Sequence, residues 1–265
     1  MNNKYFKVMM IGDVIGRTGR TLLLDHLMEI RAVENIDIVI ANGENSAGGL
    51  GITSKTYRAM KQAGVDIITL GNHLWDKSDI YSIIENDDVI RPLNYPGKVE
   101  GEGVRIFEEA GLRFAVVSLL GRVYMPRGEC PFRAMDKVIE NLKKDGINII
   151  IVDFHAEATS EKIAMGFYLD SRISLIAGTH THVQTNDSRV LSGGTGYITD
   201  IGMTGDRESV IGIDKDIIIE KFLLQQPRRF KVGNKKPMIN AVIAAVDKKT
   251  GLCKSIKKIN KDLDF

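Results

Sequence analysis

The sequence predicts an α/β fold of mixed, largely parallel sheets layered with helices, and three observations carry that prediction. Continuous apolar runs over 6–11, 36–41 and 65–70 have the length and branched-aliphatic content of strands buried on both faces. Each is followed by a stretch with helical spacing, which makes three strand–helix units in about the first 85 residues. Each run also ends in a short cluster of Gly with Asp, Glu, Asn or His, as ligand-binding strand ends do in open α/β sheets.

The elements follow in order. The run 6–11 is the first strand, ending at Gly12-Asp13, and Thr18 is placed to cap a helix over 20–33 in which Leu23, Leu27 and Ile30 share a face. A second strand, 36–41, leads into a loop rich in Gly48, Gly49 and Gly51. Helix 54–63, strand 65–70 and helix 78–85 come next. Segments 103–108 and 113–119 flank Ala110-Gly111 and read as a hairpin, which adds antiparallel pairing. Helix 134–144 with strand 147–154, and helix 161–169 with strand 174–177, make two further units. A hairpin turns at Gly193-Gly194, 217–224 reads as helix, 230–232 is short and basic, and 239–246 with 253–256 reads as a closing hairpin. Residues 1–265 form one domain in this reading, and the polar, interrupted stretch 205–236 is the candidate lid or small cap.

Composition bounds the function. With 265 residues, 43% of them hydrophobic, the chain can bury one sizeable core. A formal net charge of +2 gives no global nucleic-acid or membrane footprint. No apolar segment approaches the roughly 20 residues needed to cross a bilayer, and the lead-in Met1-Asn2-Asn3-Lys4-Tyr5 lacks the features of a signal peptide. Cys130 and Cys253 have no CxxC spacing and read as reduced thiols. A cytoplasmic protein with no membrane partner is the expectation.

The polar clusters carry the chemistry. Of the five histidines, four lie in Gly71-Asn72-His73, Asp153-Phe154-His155 and Gly178-Thr179-His180-Thr181-His182. In extended backbone His180 and His182 would leave the same face with Cα atoms about 6.6 Å apart, and two metals about 3.5 to 4 Å apart could take one each. Glu44 offers two oxygens to bridge such a pair, Asp13 a second negative charge, and Asn45 and Asn72 neutral carbonyl oxygens. His155 completes the set. Nitrogen and oxygen donors without thiolate suit Fe, Mn, Zn or Co better than Mg or Ca.

Gly12-Asp13, Gly71-Asn72-His73, His155 and Thr179-His180-Thr181-His182 resemble the ordered motifs of the calcineurin-like metallophosphoesterases. Gly12-Asp13-Val14-Ile15-Gly16-Arg17, Ala41-Asn42-Gly43-Glu44-Asn45-Ser46-Ala47-Gly48-Gly49 and Gly71-Asn72-His73-Leu74-Trp75-Asp76 are similar to a narrower branch, the YmdB-like phosphodiesterases acting on cyclic nucleotides. The chain departs from the broad superfamily at Ile15, where histidine is usual, and at Gly43-Glu44-Asn45, which replaces Gly-Asp-x-x-Asp. The narrower branch accommodates both departures. The resemblance implies an αββα sandwich and two metal ions, with iron favoured and manganese or zinc as alternatives. By the same resemblance Asp13, Glu44, Asn45 and His182 hold one ion and Glu44, Asn72, His155 and His180 the other. His73 is then the general acid of a hydrolysis in which a hydroxide shared by the metals attacks phosphorus. Cyclic nucleotides, 2',3'-cyclic and secondarily 3',5'-cyclic, are the implied substrates, and a homo-oligomer the implied assembly.

Single motifs have plain alternatives. Asp13 alone reads equally well as a turn cap, Glu44-Asn45 alone as turn chemistry, and His155 alone as a core residue. Seven ligand-type residues at successive strand ends favour the dimetal site. His26 and Trp75 read as packing residues, Asp200 as a turn cap ahead of an outer support of the ligands, and the basic run Arg228, Arg229, Lys231, Lys235 and Lys236 as a solvated face ahead of a contact to phosphate or RNA on a lid. A general phosphatase or nuclease with the same metals, or a nucleotide- or RNA-binding regulator with weak catalysis, are the other functional classes. An intact His73 beside a full ligand set argues against the last.

Overall fold

The computed structural model describes residues 4–263, so Met1–Asn3 of the lead-in lie outside the described residues. Two mixed sheets pack face to face. The first has eight strands, in the order Asp13–Val14, Met203–Asp206, Pro237–Asp247, Tyr5–Ile11, Ile38–Asn42, Ile67–Thr69 and Val89–Ile90, with Cys253–Asp262 also paired to Pro237–Asp247. The second has six, in the order Arg189–Val190, Gly196–Ile198, Leu175–Thr179, Ile149–His155, Leu112–Leu120 and Val104–Glu109.

The period of two along each strand explains the layering. Phe6, Val8 and Met10 point into a core shared with Phe114, Val116, Ile149 and Ile151 of the second sheet, and the Phe6 and Phe114 rings lie 5.1 Å apart. Their neighbours Met9 and Ile11 point the other way, onto Leu22, Leu23 and Leu27 of helix α1 (Gly16–Glu34) and Met60 of α2 (Ser54–Gln62). On the far side Ala115, Val117, Ile150 and Val152 pack under Met135 and Ile139 of α3 (Pro131–Lys144) and Met165 and Leu169 of α4 (Thr159–Leu169). The layers are therefore helix, sheet, sheet, helix. No helix among the described residues is long and apolar enough to cross a membrane.

The strands ending in the polar clusters run parallel. Tyr5–Ile11, Ile38–Asn42, Ile67–Thr69 and Val89–Ile90 form one parallel set, and Leu112–Leu120, Ile149–His155 and Leu175–Thr179 form another. The hairpin at Ala110-Gly111 is antiparallel, as expected, and the closing hairpin reaches further than expected, to Asp262.

Three local expectations are corrected. Thr18 is not a cap: α1 already starts at Gly16, and the Thr18 hydroxyl donates to the Gly233 carbonyl at 2.7 Å. The segment 78–85 forms a 3-10 turn over Ser78–Ser82 instead of an α-helix: its amides close i→i+3 bonds, Ile80 to the Lys77 carbonyl and Ile83 to the Ile80 carbonyl, while Ile80, Ile83 and Ile84 are buried. Residues 205–236 begin inside the first sheet, because Gly205 and Asp206 pair with Met238 and Pro237. A small hairpin (Ser209–Val210, Ile213–Asp214) and α5 (Lys215–Leu224) follow, and Asp214 caps α5 by accepting the Asp216 amide at 3.0 Å.

Candidate metal centre

All seven residues expected to be ligands come together where the parallel strands of both sheets end. Asp13 follows Tyr5–Ile11, and Glu44 and Asn45 follow Ile38–Asn42. Asn72 follows Ile67–Thr69, His155 ends its own strand, and His180 and His182 follow Leu175–Thr179. Asp13, Glu44 and His155 have no solvent exposure.

Three donor atoms crowd one nitrogen. His155 Nε2 lies 2.9 Å from Glu44 Oε1, 2.9 Å from Asn72 Oδ1 and 3.0 Å from His180 Nδ1. One imidazole nitrogen carries at most one hydrogen, so hydrogen bonding cannot account for all three contacts. Metal bonds of about 2.1 Å at right angles would set neighbouring donors about 3.0 Å apart. The spacing found here thus fits the edges of a coordination polyhedron, and Glu44, His155 and His180 each offer an atom within 4.8 Å of the others. Gly71 makes the convergence possible, because a Cβ there would lie 2.4 Å from Glu44 Oε2 and 2.5 Å from His155 Cδ2.

A second group adjoins the first. Asn45 Nδ2 lies 3.3 Å from Asp13 Oδ1, 3.4 Å from Glu44 Oε1 and 3.4 Å from His182 Nε2. Two amide hydrogens cannot serve three acceptors, whereas half a turn of the amide puts its oxygen among them as a fourth donor. Glu44 is common to both groups.

The surrounding bonds set which nitrogen faces the centre. The His182 Nδ1–H donates to the Ile211 carbonyl at 2.8 Å, which leaves the Nε2 lone pair facing the centre, 3.6 Å from Asp13 Oδ1. His180 Nε2 pairs with Glu157 at 3.1 Å, which leaves Nδ1 for the centre. With Nε2 of His155 facing inward, its Nδ1–H donates to Thr179 Oγ1 at 2.8 Å, and Thr179 in turn donates to Asp153 Oδ1 at 2.6 Å. Asp153 also accepts from Thr69 at 2.5 Å and Asn42 at 3.1 Å. Such outer contacts orient ligands and raise their basicity.

Titration behaviour reflects this crowding. Burial works against the Asp13 carboxylate, but His182, His155 and the His180 amide hold it well below the ordinary range. Glu44 is likewise lowered, burial being outweighed chiefly by His155. Burial disfavours a charged His182, yet Asp13 and the Ile211 carbonyl raise it to about 9. His180 is depressed to about 4 by burial and by the neighbouring His155.

His73 stands at the edge. Its amide donates to Glu44 Oε2 at 2.9 Å and its Nδ1 lies 2.7 Å from Asp76 Oδ2, so Nε2 is directed away from that carboxylate. A cleft of 490 Å³ joins His73, Asn45 and His182 to Leu50, Ile211, Ile213, Arg228, Arg229 and Phe230. Arg228 and Arg229, read from sequence as part of a solvated face, line this cleft. Trp75 packs between Tyr81 and Tyr95, as expected of a structural aromatic.

The Thr-His-Thr-His segment is not extended. His180 has φ 102 and His182 φ 64, left-handed values that cost about 1–3 kcal/mol each outside glycine. The strand stops at Thr179, and the His180 amide turns to Asp13 Oδ2 at 3.1 Å while the Thr181 amide turns to Asp200 Oδ2 at 3.1 Å. Asp200 does accept a local amide, that of Gly202 at 2.8 Å, but it is also buried in an ion pair with Lys162. Glu157, Lys162 and Ile211 were not evident from sequence: the first two lie on a loop and a helix with no motif, and Ile211 acts through its backbone.

Known proteins resemble this chain over nearly its whole length. The family model of YmdB-like proteins matches residues 9–259. A Bacillus subtilis protein named 2',3'-cyclic-nucleotide 2'-phosphodiesterase is 40% identical over 254 residues, 96% of either chain. A solved structure described as a novel phosphatase from Mycoplasma pneumoniae has a TM-score of 0.93 at 36% identity, covering 99% of this chain and 95% of its own. A hypothetical protein from Thermus thermophilus superposes with a TM-score of 0.91 at 39% identity, covering 97% and 99%. The chain belongs to the YmdB-like family, a branch of the metallophosphoesterases.

Proposed function

We propose that the chain is a dinuclear-metal phosphodiesterase that hydrolyses cyclic nucleotides, with 2',3'-cyclic esters as principal and 3',5'-cyclic esters as secondary substrates. The observation that carries this reading is the packing of Glu44, Asn72 and His180 donors at 2.9 to 3.0 Å around His155 Nε2, beside a cleft that also reaches His73. Glu44, Asn72, His155 and His180 would hold one ion, and Asp13, Glu44, Asn45 and His182 the other. Two bound cations supply Lewis acidity, acidifying water and neutralising phosphate charge. The family resemblance favours iron, while the all-nitrogen-and-oxygen donor set itself accepts iron, manganese and zinc alike.

The chain's own residues do the rest. Asp76 anchors His73 Nδ1, so that His73 Nε2 can deliver a proton to the departing ribose oxygen. Leu50, Ile211, Ile213 and Phe230 offer an apolar wall for ribose and base, and Arg228 and Arg229 offer positive charge. The segment 205–236 acts in this reading as a cap over the cleft. A cytoplasmic, homo-oligomeric enzyme belongs to the same reading; Phe222 and Leu223 on α5, 78% and 77% exposed, are apolar surface suited to self-association. Elemental analysis of protein purified without added metal, followed by a panel of cyclic nucleotides, phosphomonoesters and short RNA, tests the proposal. Two ions per chain with fastest turnover of 2',3'-cyclic esters is the expected result. A preference for monoesters or RNA would replace it with a phosphatase or nuclease.

A further inference from the structure

The turn that carries His180 and His182 is held from behind by two charges. Lys162 enters from α4 with 1% exposure and is the one buried lysine or arginine among the described residues. Its Nζ donates to the Thr179 carbonyl at 2.7 Å and to Asp200 Oδ2 at 2.6 Å. The same Asp200 oxygen accepts the Thr181 amide at 3.1 Å, and Oδ1 accepts the Gly202 amide at 2.8 Å. The pair therefore grips the residue before His180 and the residue between the two histidines. Gly178 leaves room for the lysine stem, since a Cβ there would lie 3.1 Å from Lys162 Cδ and 1.8 Å from the Thr199 carbonyl oxygen.

Neither side chain is placed among the donor atoms of the metal centre. A buried ion pair is a poor source of stability, because the loss of hydration offsets much of the attraction and an apolar pair of similar size often serves as well. What this pair supplies is direction: one bond to the Thr179 carbonyl and one from the Thr181 amide, on a backbone that takes a left-handed conformation at both histidines.

We propose that Lys162 and Asp200 are positioning residues for the metal centre, fixing the Thr179–His182 turn so that His180 and His182 reach separate donor groups. The proposal rests on the two-metal reading given above. Mn2+ titration of metal-stripped protein, followed by paramagnetic resonance and thermal melting, tests it in wild type, in Lys162→Met and in the double variant Lys162→Met/Asp200→Asn, which leaves neither charge unpaired. The expected result is a folded variant in which affinity for one or both Mn2+ ions falls about ten- to hundredfold, as for other outer-layer supports of metal ligands, with the spin-coupled signal of the ion pair giving way to that of single ions. Wild-type affinity and an intact coupled signal in either folded variant would overturn the proposal. Loss of folding in both variants would also overturn it, by assigning the pair to the fold instead. One ion per wild-type chain would defeat the two-metal reading itself, a result distinct from either.

Discussion

The Ile211 carbonyl accepts the Nδ1 hydrogen of His182 at 2.8 Å, so a backbone atom in the 205–236 segment sets the tautomer of a candidate metal ligand. Ile211 sits in the turn of the Ser209–Asp214 hairpin with φ 47 and lines the same cleft as His73. Contacts made in the cleft and the donor strength of His182 are thereby physically joined.

Glu44→Gln should lose at least one metal and nearly all hydrolysis. Glu44 is the carboxylate common to both donor groups, and removing its charge weakens both. Metal content and turnover on the same sample check this. Two fully occupied ions with near-normal turnover would remove Glu44 from the bridging position.

His73→Ala should retain both metals while kcat falls by about 10² to 10⁴, the range for lost general-acid catalysis. The deficit should shrink for a nitrophenyl ester, whose leaving group departs without a proton, and persist for a ribose hydroxyl. Metal loss, or equal deficits on both esters, would make His73 a ligand or a phosphate clamp.

The cap is best tested by point substitution. Deleting from residue 205 would cut the pairing of Gly205 with Met238 and remove the partner of His182. Phe230→Ala and Arg229→Ala should raise KM for cyclic nucleotides at least several-fold more than for a small aryl phosphodiester, because remote binding contacts matter only to a substrate that reaches them. Equal effects on both substrates would confine these residues to folding.

Phe114→Ala should cost about 3–5 kcal/mol of stability, the usual range for emptying a large aromatic site in a core. Phe114 is fully buried and its ring contacts Phe6 and Phe107 at 5.1 and 5.6 Å. Urea unfolding measures the loss; a change under 1 kcal/mol would show that the space between the sheets refills, as cores sometimes do.

Much of this was legible in the sequence, for reasons that differ by element. Long apolar strands such as Ile149–His155 announce themselves because both faces are buried, and the ligands were visible because they terminate those strands. Met203–Asp206 was missed as a strand since Thr204 and Gly205 break its apolar run, and its pairing depends on Asp13–Val14 and Pro237, both remote in sequence. The left-handed turn at His180 and His182 was misread as extended because its cause lies in Asp13 and Asp200, carboxylates that act on the backbone from elsewhere in the chain. Outer supports such as Glu157 and Ile211 carry no spacing signature. Proximity alone assigns them.

Residues Ala241 to Asp247 of the strand Pro237–Asp247 pair with Tyr5–Ile11, and the Gly12 amide, next to Asp13, donates to the Asn240 carbonyl at 3.1 Å. The strand that leads into Asp13 is thus completed by a segment remote from it in sequence. A nascent chain exposes Asp13, Glu44 and His73 long before His180, His182 and the Asn240 carbonyl exist to meet them. In the two-metal reading, the full donor set is therefore assembled only once residues 180–182 and 240 have been made.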